Sequence, residues 1–262
     1  MSDALAQFRA DYAHHRATEG RAVRGAELES LPYLRSGPLA KQWGVRARSF
    51  DAFLRHVIAP REKGRVLEIL DLGAGNGWLS HRVSRRGHKA MALDMRNDDI
   101  DGLGAAAEFL RKEPGLFTCI TASFDDLPFV DCRFDITVFN ASLHYARDLA
   151  HVLREATRVT RQDGVLVVMD SPFYAKDSAG AAMVAEKHAQ GAARFGDRAA
   201  HLLSQGFIEY LTPDRLASAS PGLVWRRHRV LYPAWYELRP LMAKLKRART
   251  PSRFDLWIAT PT

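Results

Sequence analysis

Five short apolar runs recur between residues 66 and 170. They lie at 66–72, 90–94, 117–122, 134–140 and 165–170. Runs of this length that are apolar almost throughout are typical of parallel strands covered on both faces. We therefore predict five strands of one parallel sheet.

Between these runs the apolar positions follow the period of a helix. One stripe is formed by Ile100, Leu103, Ala107 and Leu110. A second stripe covers 149–159, and we expect Arg161 and Gly164 to mark its end. Strands that alternate with helices in this way build βαβ units with right-handed crossovers.

The segment before the first strand has a helical pattern. It covers residues 1–60 and is broken at Leu31–Pro32. A second helix is expected over 45–58, ending before Pro60 because proline interrupts helical hydrogen bonding.

The segment after the fifth strand differs from the preceding part. Residues 171–220 predict a mostly helical insertion, in which Thr212 and Pro213 are typical of a helix start. Segments 222–231 and 253–260 alternate apolar and polar residues, so they suit an antiparallel pair at the sheet edge.

Together these elements predict an α/β fold with a doubly wound, mostly parallel sheet of seven strands. We expect two parts: an N-terminal helical cap at 1–60 and a main domain at 61–262. The main domain would carry the insertion 171–220 on its substrate side.

The composition is that of an ordinary globular protein, with 47% hydrophobic and 26% charged residues in a chain of 262. The longest purely apolar run, 165–169, is far shorter than the roughly 20 residues that span a bilayer. The first residues lack the apolar stretch of a signal peptide, so we expect a cytoplasmic protein without a membrane span. Cys119 and Cys132 lie apart from any cluster of metal ligands, so we expect two small buried residues and no metal site.

The positive charge is concentrated in one segment. The chain has 38 Lys and Arg against 30 Asp and Glu, a net charge of +8. Residues 225–253 hold nine basic residues and one acidic residue, Glu237, and so account for the whole excess. Such a patch can face phosphate, carboxylate, nucleic acid or anionic lipid, or it can be a solvated Arg-rich surface.

A glycine-rich turn follows the first predicted strand. Gly73, Gly75 and Gly77 let the backbone turn tightly and let a ligand approach without interference from a Cβ atom. Asp71 ends the strand, where it can accept a hydrogen bond from a cationic amine. Asp94 ends the second strand beside the same crevice, where a carboxylate can hold both hydroxyls of a ribose.

The spacing of this turn distinguishes two kinds of nucleotide ligand. A dinucleotide site follows GxGxxG, whereas this turn has the pattern GxGxG, with Trp78 where the last glycine is expected. A carboxylate at Asp71 would be badly placed beside a pyrophosphate and well placed beside an ammonium group. The turn therefore predicts a nucleoside with a positively charged amino-acid tail.

With these residues, the chain resembles the class I S-adenosylmethionine-dependent methyltransferases over roughly residues 64–170. The likeness is to the small-molecule branch of ubiquinone and menaquinone methyltransferases. The matching blocks are 71–77, 123–129, 140–145 and 164–168. The resemblance implies S-adenosyl-L-methionine as the cofactor. It also implies O- or C-methylation of a small organic acceptor, such as a secondary metabolite or a quinone-like compound.

The resemblance also implies which residues hold the cofactor. The glycine turn would cradle the methionine end, Asp94 the ribose, and Met95 and the loop at Ser123 the adenine. The full set is Asp71, Gly73, Ala74, Gly75, Gly77, Asp94, Met95, Ser123, Phe124 and Asn140. Members often carry Asp where this chain has Ser123; a charged acceptor bonds about twice as strongly, and Asp125 is a substitute.

His144 is the candidate catalytic residue. It follows the fourth strand and faces the crevice, so it can accept a proton from a hydroxyl or an acidic carbon. An imidazole with an ordinary pKa of about 6.5 suits that role. The alternative is a residue that only shapes the pocket, and Asn140 and Tyr145 are second candidates.

Two regions are expected to cover the site. The N-terminal part contributes Tyr33, Trp43, Arg46 and Arg48. The insertion contributes Phe173, Tyr174, His188, Arg194, Phe195 and Tyr210. Their rings favour a moderately apolar or ring-bearing acceptor.

Other functions stay open. The basic segment 225–253 favours RNA methylation, although residues 140–143 lack the Asn/Asp-Pro-Pro-aromatic motif of amino-group methylation. A non-catalytic partner protein that binds the cofactor is a second alternative, against which the intact glycine turn argues. A third keeps the cofactor and changes the reaction to decarboxylation or cyclisation. The acceptor and the oligomeric state are left open.

Overall fold

Seven strands form one mixed sheet in the structure, a computed structural model that describes residues 23–195 and 206–261. The strands are β1 (Glu68–Leu72), β2 (Lys89–Asp94), β3 (Thr118–Thr121), β4 (Phe134–Asn140), β5 (Thr160–Met169), β6 (Leu223–His228) and β7 (Leu256–Pro261). Their order is β3-β2-β1-β4-β5-β7-β6. Strands β1 to β5 are parallel, and β7 is antiparallel to both β5 and β6. The predicted seven-stranded, mostly parallel sheet and its antiparallel edge pair are confirmed.

Helices precede the sheet and connect its strands. They are α1 (Gly25–Ser30), α2 (Ala40–Phe53), α3 (Ala59–Glu62), α4 (Trp78–Arg85), α5 (Ala107–Lys112), α6 (Leu149–Val159), α7 (Asp177–Phe195), α8 (Pro213–Ala219), α9 (Ala234–Glu237) and α10 (Arg239–Leu245). A π turn at Leu54–Ile58 joins α2 to α3, and short 3₁₀ turns lie at Leu103–Ala106 and Leu143–Tyr145.

The helix before β1 continues through Pro60, so the expected end before this proline is wrong. The N–H of Ala59 bonds to the carbonyl of Leu54, five residues back, in the π turn. The wider turn accommodates a proline that would clash with the preceding carbonyl in a regular α-helix. The helical path ends instead at Lys63, which has a left-handed φ of 32°.

The end of α6 also differs from expectation. The helix stops at Val159 and β5 begins at the next residue, so neither Arg161 nor Gly164 marks its end. Gly164 lies inside β5. A Cβ atom there would come within 2.9 Å of the Asp135 carbonyl oxygen, so glycine permits the close approach of β4.

Two helix starts, those of α6 and α8, follow ordinary capping rules. The side chain of Asp148 accepts a 2.9 Å hydrogen bond from the N–H of His151 at the start of α6. Thr212 accepts a 3.1 Å bond from the N–H of Arg215 at the start of α8, with Pro213 in the first turn. The predicted helix start at Thr212 is therefore confirmed.

Two apolar layers enclose the sheet. Ile69 belongs to the layer that contains Phe50 and Trp78, from α2 and α4. Leu70 and Leu72 belong to the opposite layer, which contains Val152 from α6. Side chains of a strand alternate between its two faces, and both faces of β1 are covered. The nearly continuous apolar runs in the sequence reflect this double burial.

The two cysteines are less buried than expected. Cys119 is half-buried on β3, the last strand at its edge of the sheet, and Cys132 is exposed. Cys132 lies in the turn before β4, outside the core, and has a left-handed φ of 52°. The expectation of two buried cysteines is wrong.

The described ranges were compared with the requirements of a membrane-spanning helix and of a metal site. There, no helix is both long enough and apolar enough to cross a bilayer. Nor do these ranges hold a group of three His, Cys, Asp or Glu side chains that could bind a metal ion.

Candidate active site

A cavity of about 610 Å³ opens at the carboxyl ends of β1, β2, β4 and β5. The strand order reverses between β1 and β4, and ligands of doubly wound sheets bind at such a switch point. The glycine turn and the end of β2 line one part of the cavity, and His144 and Asp170 line another. Its volume lies in the range of small-molecule sites, about 300–1,000 Å³.

The glycine turn depends on the absence of side chains. Gly73, Gly75 and Gly77 have φ values of 71°, 55° and 75°, a region that L side chains rarely adopt. A Cβ atom on Gly73 would lie 2.4 Å from the Cβ of Ser142, in the loop after β4. Gly73, Ala74 and Gly75 line the cavity, whereas Gly77 caps α4 behind it.

Asp71 lies behind the turn and not in the cavity wall. It is fully buried, and its Oδ2 accepts a 3.0 Å hydrogen bond from the hydroxyl of Ser80 on α4. No described residue donates a hydrogen bond to its Oδ1. Burial raises the pKa of the Asp71 carboxyl to about 7, and the negative charge of Asp94 adds to the rise.

Asp94 connects the end of β2 to the glycine turn. Its Oδ2 accepts a 2.8 Å hydrogen bond from the N–H of Gly75, and its Oδ1 accepts one of 2.8 Å from the N–H of Arg96. Burial raises the pKa of this carboxyl, against the two N–H groups, which lower it. Asp94 and Met95 both line the cavity. Each carboxylate oxygen retains a lone pair for a further donor.

The loop after β3 forms another wall. The Ser123 hydroxyl donates a 2.9 Å hydrogen bond to Asp125 Oδ2, and the N–H of Asp125 donates to Ser123 Oγ at 3.2 Å. Phe124 packs edge-on against Phe139, with ring centroids 6.0 Å apart. Ser123, Phe124 and Asp125 all line the cavity, so the structure joins the serine to the acid considered as its substitute.

The polar atoms of this region fit a ligand that has a ribose and an amino-acid tail. Asn140 lines the cavity, and its buried Oδ1 accepts no hydrogen bond from the described part of the chain. The Asp94 carboxylate faces the same space, and the turn at Gly73 to Gly75 offers backbone without bulky side chains. Carboxylates suit hydroxyl donors, and a side-chain-free turn admits close approach.

His144 lies in the 3₁₀ turn after β4. Its Nδ1 is 3.3 Å from the hydroxyl oxygen of Ser171, which follows β5. Its ring lies 4.2 Å from that of Tyr145, at a tilt of 38°. Both rings line the cavity, so the structure brings His144 into the space that also holds the glycine turn.

Asp170 is a functional candidate that the sequence analysis missed. Only 7% of it is exposed, it lines the cavity, and no described residue donates a hydrogen bond to either carboxylate oxygen. The nearby Ser49 hydroxyl is bonded instead to the Tyr232 hydroxyl, at 2.9 Å. Burial raises the pKa of Asp170 to about 6, against the positive charge of Arg46.

A sequence signal for Asp170 exists. It ends the fifth apolar run as Asp94 ends the second, and the carboxyl ends of parallel strands meet at the same edge of the sheet. Its left-handed φ of 55°, matched by 57° at Ala141 after β4, is strained for a residue other than glycine. Strain of this kind concentrates at functional sites, but the sequence does not reveal it.

Only some of the expected covering residues reach the cavity. Trp43 and Arg46 line it, together with Pro172, Phe207 and Phe254. Tyr33 and Arg48 line a second cavity of about 390 Å³ instead.

The expected rings of the insertion are used in packing. Phe173 stacks on Trp257 with ring centroids 4.8 Å apart, and Tyr174 packs edge-on against Tyr210 at 5.8 Å. None of the expected residues Phe173, Tyr174 and Tyr210 lines the cavity. His188 is exposed on α7. The side chains of Arg194 and Phe195 lie outside the described residues.

A short segment of the insertion, residues 206–211, lies against the loop of His144. The N–H of Glu209 bonds to the His144 carbonyl, and the N–H of Ile208 bonds to the Ala146 carbonyl, both at 2.9 Å. Phe207 packs edge-on against Tyr145 at 5.6 Å and lines the cavity. This segment therefore forms part of the cavity wall near His144.

Residues 70–168 match the family described as methyltransferase domain. The matched stretch runs from β1 to β5 and includes the glycine turn, Asp94 and His144. Over this stretch the chain is similar to methyltransferase domains, in agreement with the resemblance found in the sequence.

The methyltransferase domain is similar to parts of curated relatives. A malonyl-[acyl-carrier protein] O-methyltransferase of Halorhodospira halophila is 34% identical over 101 residues, which are 38% of this chain and 33% of that protein. A tRNA 5-carboxymethoxyuridine methyltransferase of Escherichia coli is 30% identical over 108 residues, which are 41% of this chain and 40% of that protein. The match spans less than half the length of either relative.

The fold extends the likeness over most of the chain. The 1,6-didemethyltoxoflavin-N1-methyltransferase of Burkholderia thailandensis, solved with 1,6-didemethyltoxoflavin and S-adenosylhomocysteine, superposes with a TM-score of 0.57. The match covers 98% of this chain and 88% of that one at 16% identity. At this identity the likeness establishes the methyltransferase fold.

Proposed function

We propose that this methyltransferase modifies a small organic acceptor, at an oxygen or a carbon atom. The observation that carries the proposal is one cavity lined both by the glycine turn with Asp94 and by His144 with Asp170. A cavity of about 610 Å³ suits a cofactor and a small acceptor side by side, and Trp43, Phe207 and Phe254 give it aromatic walls.

In this proposal the cofactor end is held by those residues of the expected set that line the cavity, whereas Asp71 and Gly77 support the turn from behind. Gly73, Ala74 and Gly75 lie along the methionine part, and the Asp94 carboxylate accepts the ribose hydroxyls. Met95 and Phe124 contact the adenine, and the Ser123–Asp125 pair accepts from its amino group. The bound cofactor supplies a methyl group that its sulfonium already activates, so the protein chiefly has to orient the acceptor and exclude water.

At the acceptor end, two groups have separate roles. His144 accepts the proton that the acceptor hydroxyl or acidic carbon loses, and Ser171, 3.3 Å from Nδ1, fixes the orientation of the imidazole. The unpartnered Asp170 carboxyl binds a polar hydrogen of the acceptor and orients it. Trp43 and Arg46 from the N-terminal helical part, and Pro172 and Phe207 from the insertion, are proposed as substrate-side additions to the domain.

The proposal is tested by mass spectrometry. The protein is incubated with methyl-labelled S-adenosylmethionine and a metabolite extract, and we expect a product in which the labelled methyl group replaces one hydrogen of its precursor. Asp94→Ala should lose the product, whereas Asp99→Ala, at an exposed acid on the same loop, should keep it. Calorimetric binding of the cofactor without any labelled product would overturn the proposal and favour a non-catalytic partner protein.

RNA methylation is the second candidate, favoured by the basic segment and by the likeness to the tRNA enzyme. In the structure, some basic residues of that segment form ion pairs within the chain and others are exposed. Arg227 and Arg253 pair with Asp255, at 2.8 and 3.1 Å, so part of the charge is used inside the chain. A salt titration of tRNA binding separates the two functions, because contacts with phosphates weaken steeply as salt rises. Absence of binding at low salt would exclude the RNA function.

A further inference from the structure

The basic segment also carries a row of exposed apolar side chains. Six of the ten large apolar side chains that are exposed in the described residues lie within this stretch. Their exposed fractions are 75% for Leu231, 41% for Trp235, 52% for Leu238, 54% for Leu241, 48% for Met242 and 70% for Leu245. We call these six residues the apolar row. Scattered exposed leucines are ordinary, but a contiguous row of this size marks an interaction surface.

The spacing places most of the apolar row on one side of a helical segment. Positions 235, 238, 242 and 245 are three or four residues apart, which is the spacing of one helix face, and Leu231 lies in the non-helical segment just before α9. Helices α9 and α10 continue into each other, because the N–H of Met242 bonds to the Leu238 carbonyl at 3.0 Å. Tyr236, on the inner side, is buried against Tyr232. The segment therefore anchors one face in the protein and presents the apolar row to solvent.

Positive charge accompanies the apolar row. Lys244, Lys246 and Arg247 are exposed at the end of α10. Glu237, the one acid between residues 225 and 253, is already held by Arg229 and Arg253, at 2.9 and 3.0 Å. The outer surface of this segment is thus apolar and cationic.

A basic cavity adjoins the same surface. It has a volume of about 390 Å³ and is lined by Trp235 together with Arg35, Lys41 and Arg48, all exposed. The Lys41 ammonium lies 4.3 Å from the centre of the Trp235 ring. Its one acid, Asp51, accepts a 2.8 Å hydrogen bond from the Tyr33 hydroxyl. Three cations beside an indole suit a phosphate group at the edge of an apolar phase.

We propose that the apolar row and these cations form a docking surface for an anionic phospholipid bilayer. The leucine, methionine and tryptophan side chains enter the boundary between headgroups and acyl chains, as those of interfacial helices do. Lys244, Lys246 and Arg247 contact the negative headgroups, and the basic cavity takes a lipid phosphate. The chain would lie on the membrane by this surface.

The charge distinguishes the bilayer from other occupants. A second copy of this chain would offer this face further exposed cations, Lys244, Lys246 and Arg247, and no unpaired acid from the same segment to neutralise them. Nucleic acid would satisfy the cations but leave the exposed leucines without a partner. An anionic bilayer satisfies both at once.

Vesicle flotation tests the proposal. The whole chain is mixed with vesicles of phosphatidylcholine, alone or with an equal part of phosphatidylglycerol, and we expect binding only to the anionic vesicles. Replacing Lys246 and Arg247 by Glu should lower partitioning by about fivefold or more for each charge removed. Leu241→Ala and Leu245→Ala should each lower it by about tenfold. Val130→Ala, at a valine that is 73% exposed outside this surface, is the matched control and should bind as the wild type does.

Two further measurements complete the test. Vesicles with brominated acyl chains should quench tryptophan fluorescence in the wild type and less in Trp235→Phe. Methyl transfer assayed without vesicles should be unchanged in the Leu241 and Leu245 variants, so this result is independent of the proposed acceptor. Equal binding to both kinds of vesicle, no binding, or light scattering that shows a dimer dispersed by Leu241→Glu would overturn the proposal.

Discussion

The Oδ2 of Asp94 accepts a 2.8 Å hydrogen bond from the backbone N–H of Gly75, so the end of β2 fixes the conformation of the turn after β1. One carboxylate thus holds the turn and faces the cavity. We expect Asp94→Ala to weaken S-adenosylmethionine binding by about 1.5–3 kcal/mol, the size of a charge-assisted hydrogen bond. Isothermal calorimetry measures this, with Asp99→Ala as the control. Equal affinity in Asp94→Ala would contradict the assignment of the ribose site.

Gly73 should tolerate no side chain. In Gly73→Ala the new Cβ would lie 2.4 Å from the Cβ of Ser142, at a φ of 71°. Gly87 isolates the backbone effect, because its φ is 97° and nothing lies within 4 Å of an added Cβ. We expect Gly87→Ala to lose about 1–2 kcal/mol of unfolding free energy, and Gly73→Ala to lose more and to bind cofactor poorly. Equal losses in urea unfolding would show that the contact with Ser142 is unimportant.

The buried carboxyl of Asp170 should make stability depend on pH. Its pKa is raised from 3.8 to about 6 in the folded protein, so the folded state binds this proton more tightly than the unfolded state. The resulting stabilisation is fully present below pH 3.8 and is lost as the pH rises through about 6.

We therefore expect the unfolding free energy of the wild type to fall relative to that of Asp170→Asn as the pH rises over this range. The difference should approach about 3 kcal/mol, at 1.36 kcal/mol for each pKa unit. Urea unfolding at a series of pH values measures it. Asp163→Asn, at an exposed position on the same strand, should follow the wild type. Parallel profiles for the wild type and Asp170→Asn would refute the raised pKa.

Substitutions of His144 and of Asp170 should change different kinetic parameters. In the proposed mechanism His144 accepts the proton, so we expect His144→Ala to lower kcat by about 100-fold or more while cofactor affinity is kept. In the same proposal Asp170 orients the acceptor, so we expect Asp170→Asn chiefly to raise KM for the acceptor. His188→Ala, at an exposed histidine on α7, is the control. A rate retained by His144→Ala at saturating acceptor would reduce His144 to a pocket-lining residue.

The strands and the glycine turn could be predicted from the sequence because local patterns determine them. The apolar run at 134–140 predicted β4 with its observed ends, and the glycine spacing located the turn that lines the cavity. A strand covered on both faces is almost continuously apolar, and a turn with positive φ values needs glycine. Both properties leave a direct trace in the sequence.

The acceptor end was harder to predict because it depends on contacts between distant segments. Tyr174 and Tyr210 are aromatic residues of the insertion, but each buries its ring against the other, and Phe207 lines the cavity instead. Asp170 was missed because only the fold shows that its carboxylate is enclosed without a donor. The sequence pattern shows which residues are apolar or charged. Which other residues surround each of them is determined by tertiary packing.

The basic segment shows a second limit of pattern analysis. Helical spacing of apolar residues ordinarily indicates a buried face. Here Leu238, Leu241 and Leu245 keep that spacing and are half exposed or more, while Tyr236 is the buried side chain. Which face of a helix is buried by the rest of the chain cannot be predicted from the sequence of that helix.

The backbone hydrogen bonds from Ile208 and Glu209 join the cavity wall of the insertion to the turn that carries His144. The shape of the acceptor pocket and the position of the imidazole therefore depend on the same segment. A graft that replaces residues 206–211 to admit a larger acceptor would also remove the braces of the imidazole. Given the proposed role of His144, redesign of selectivity at this wall has to preserve both amide donors in order to keep turnover.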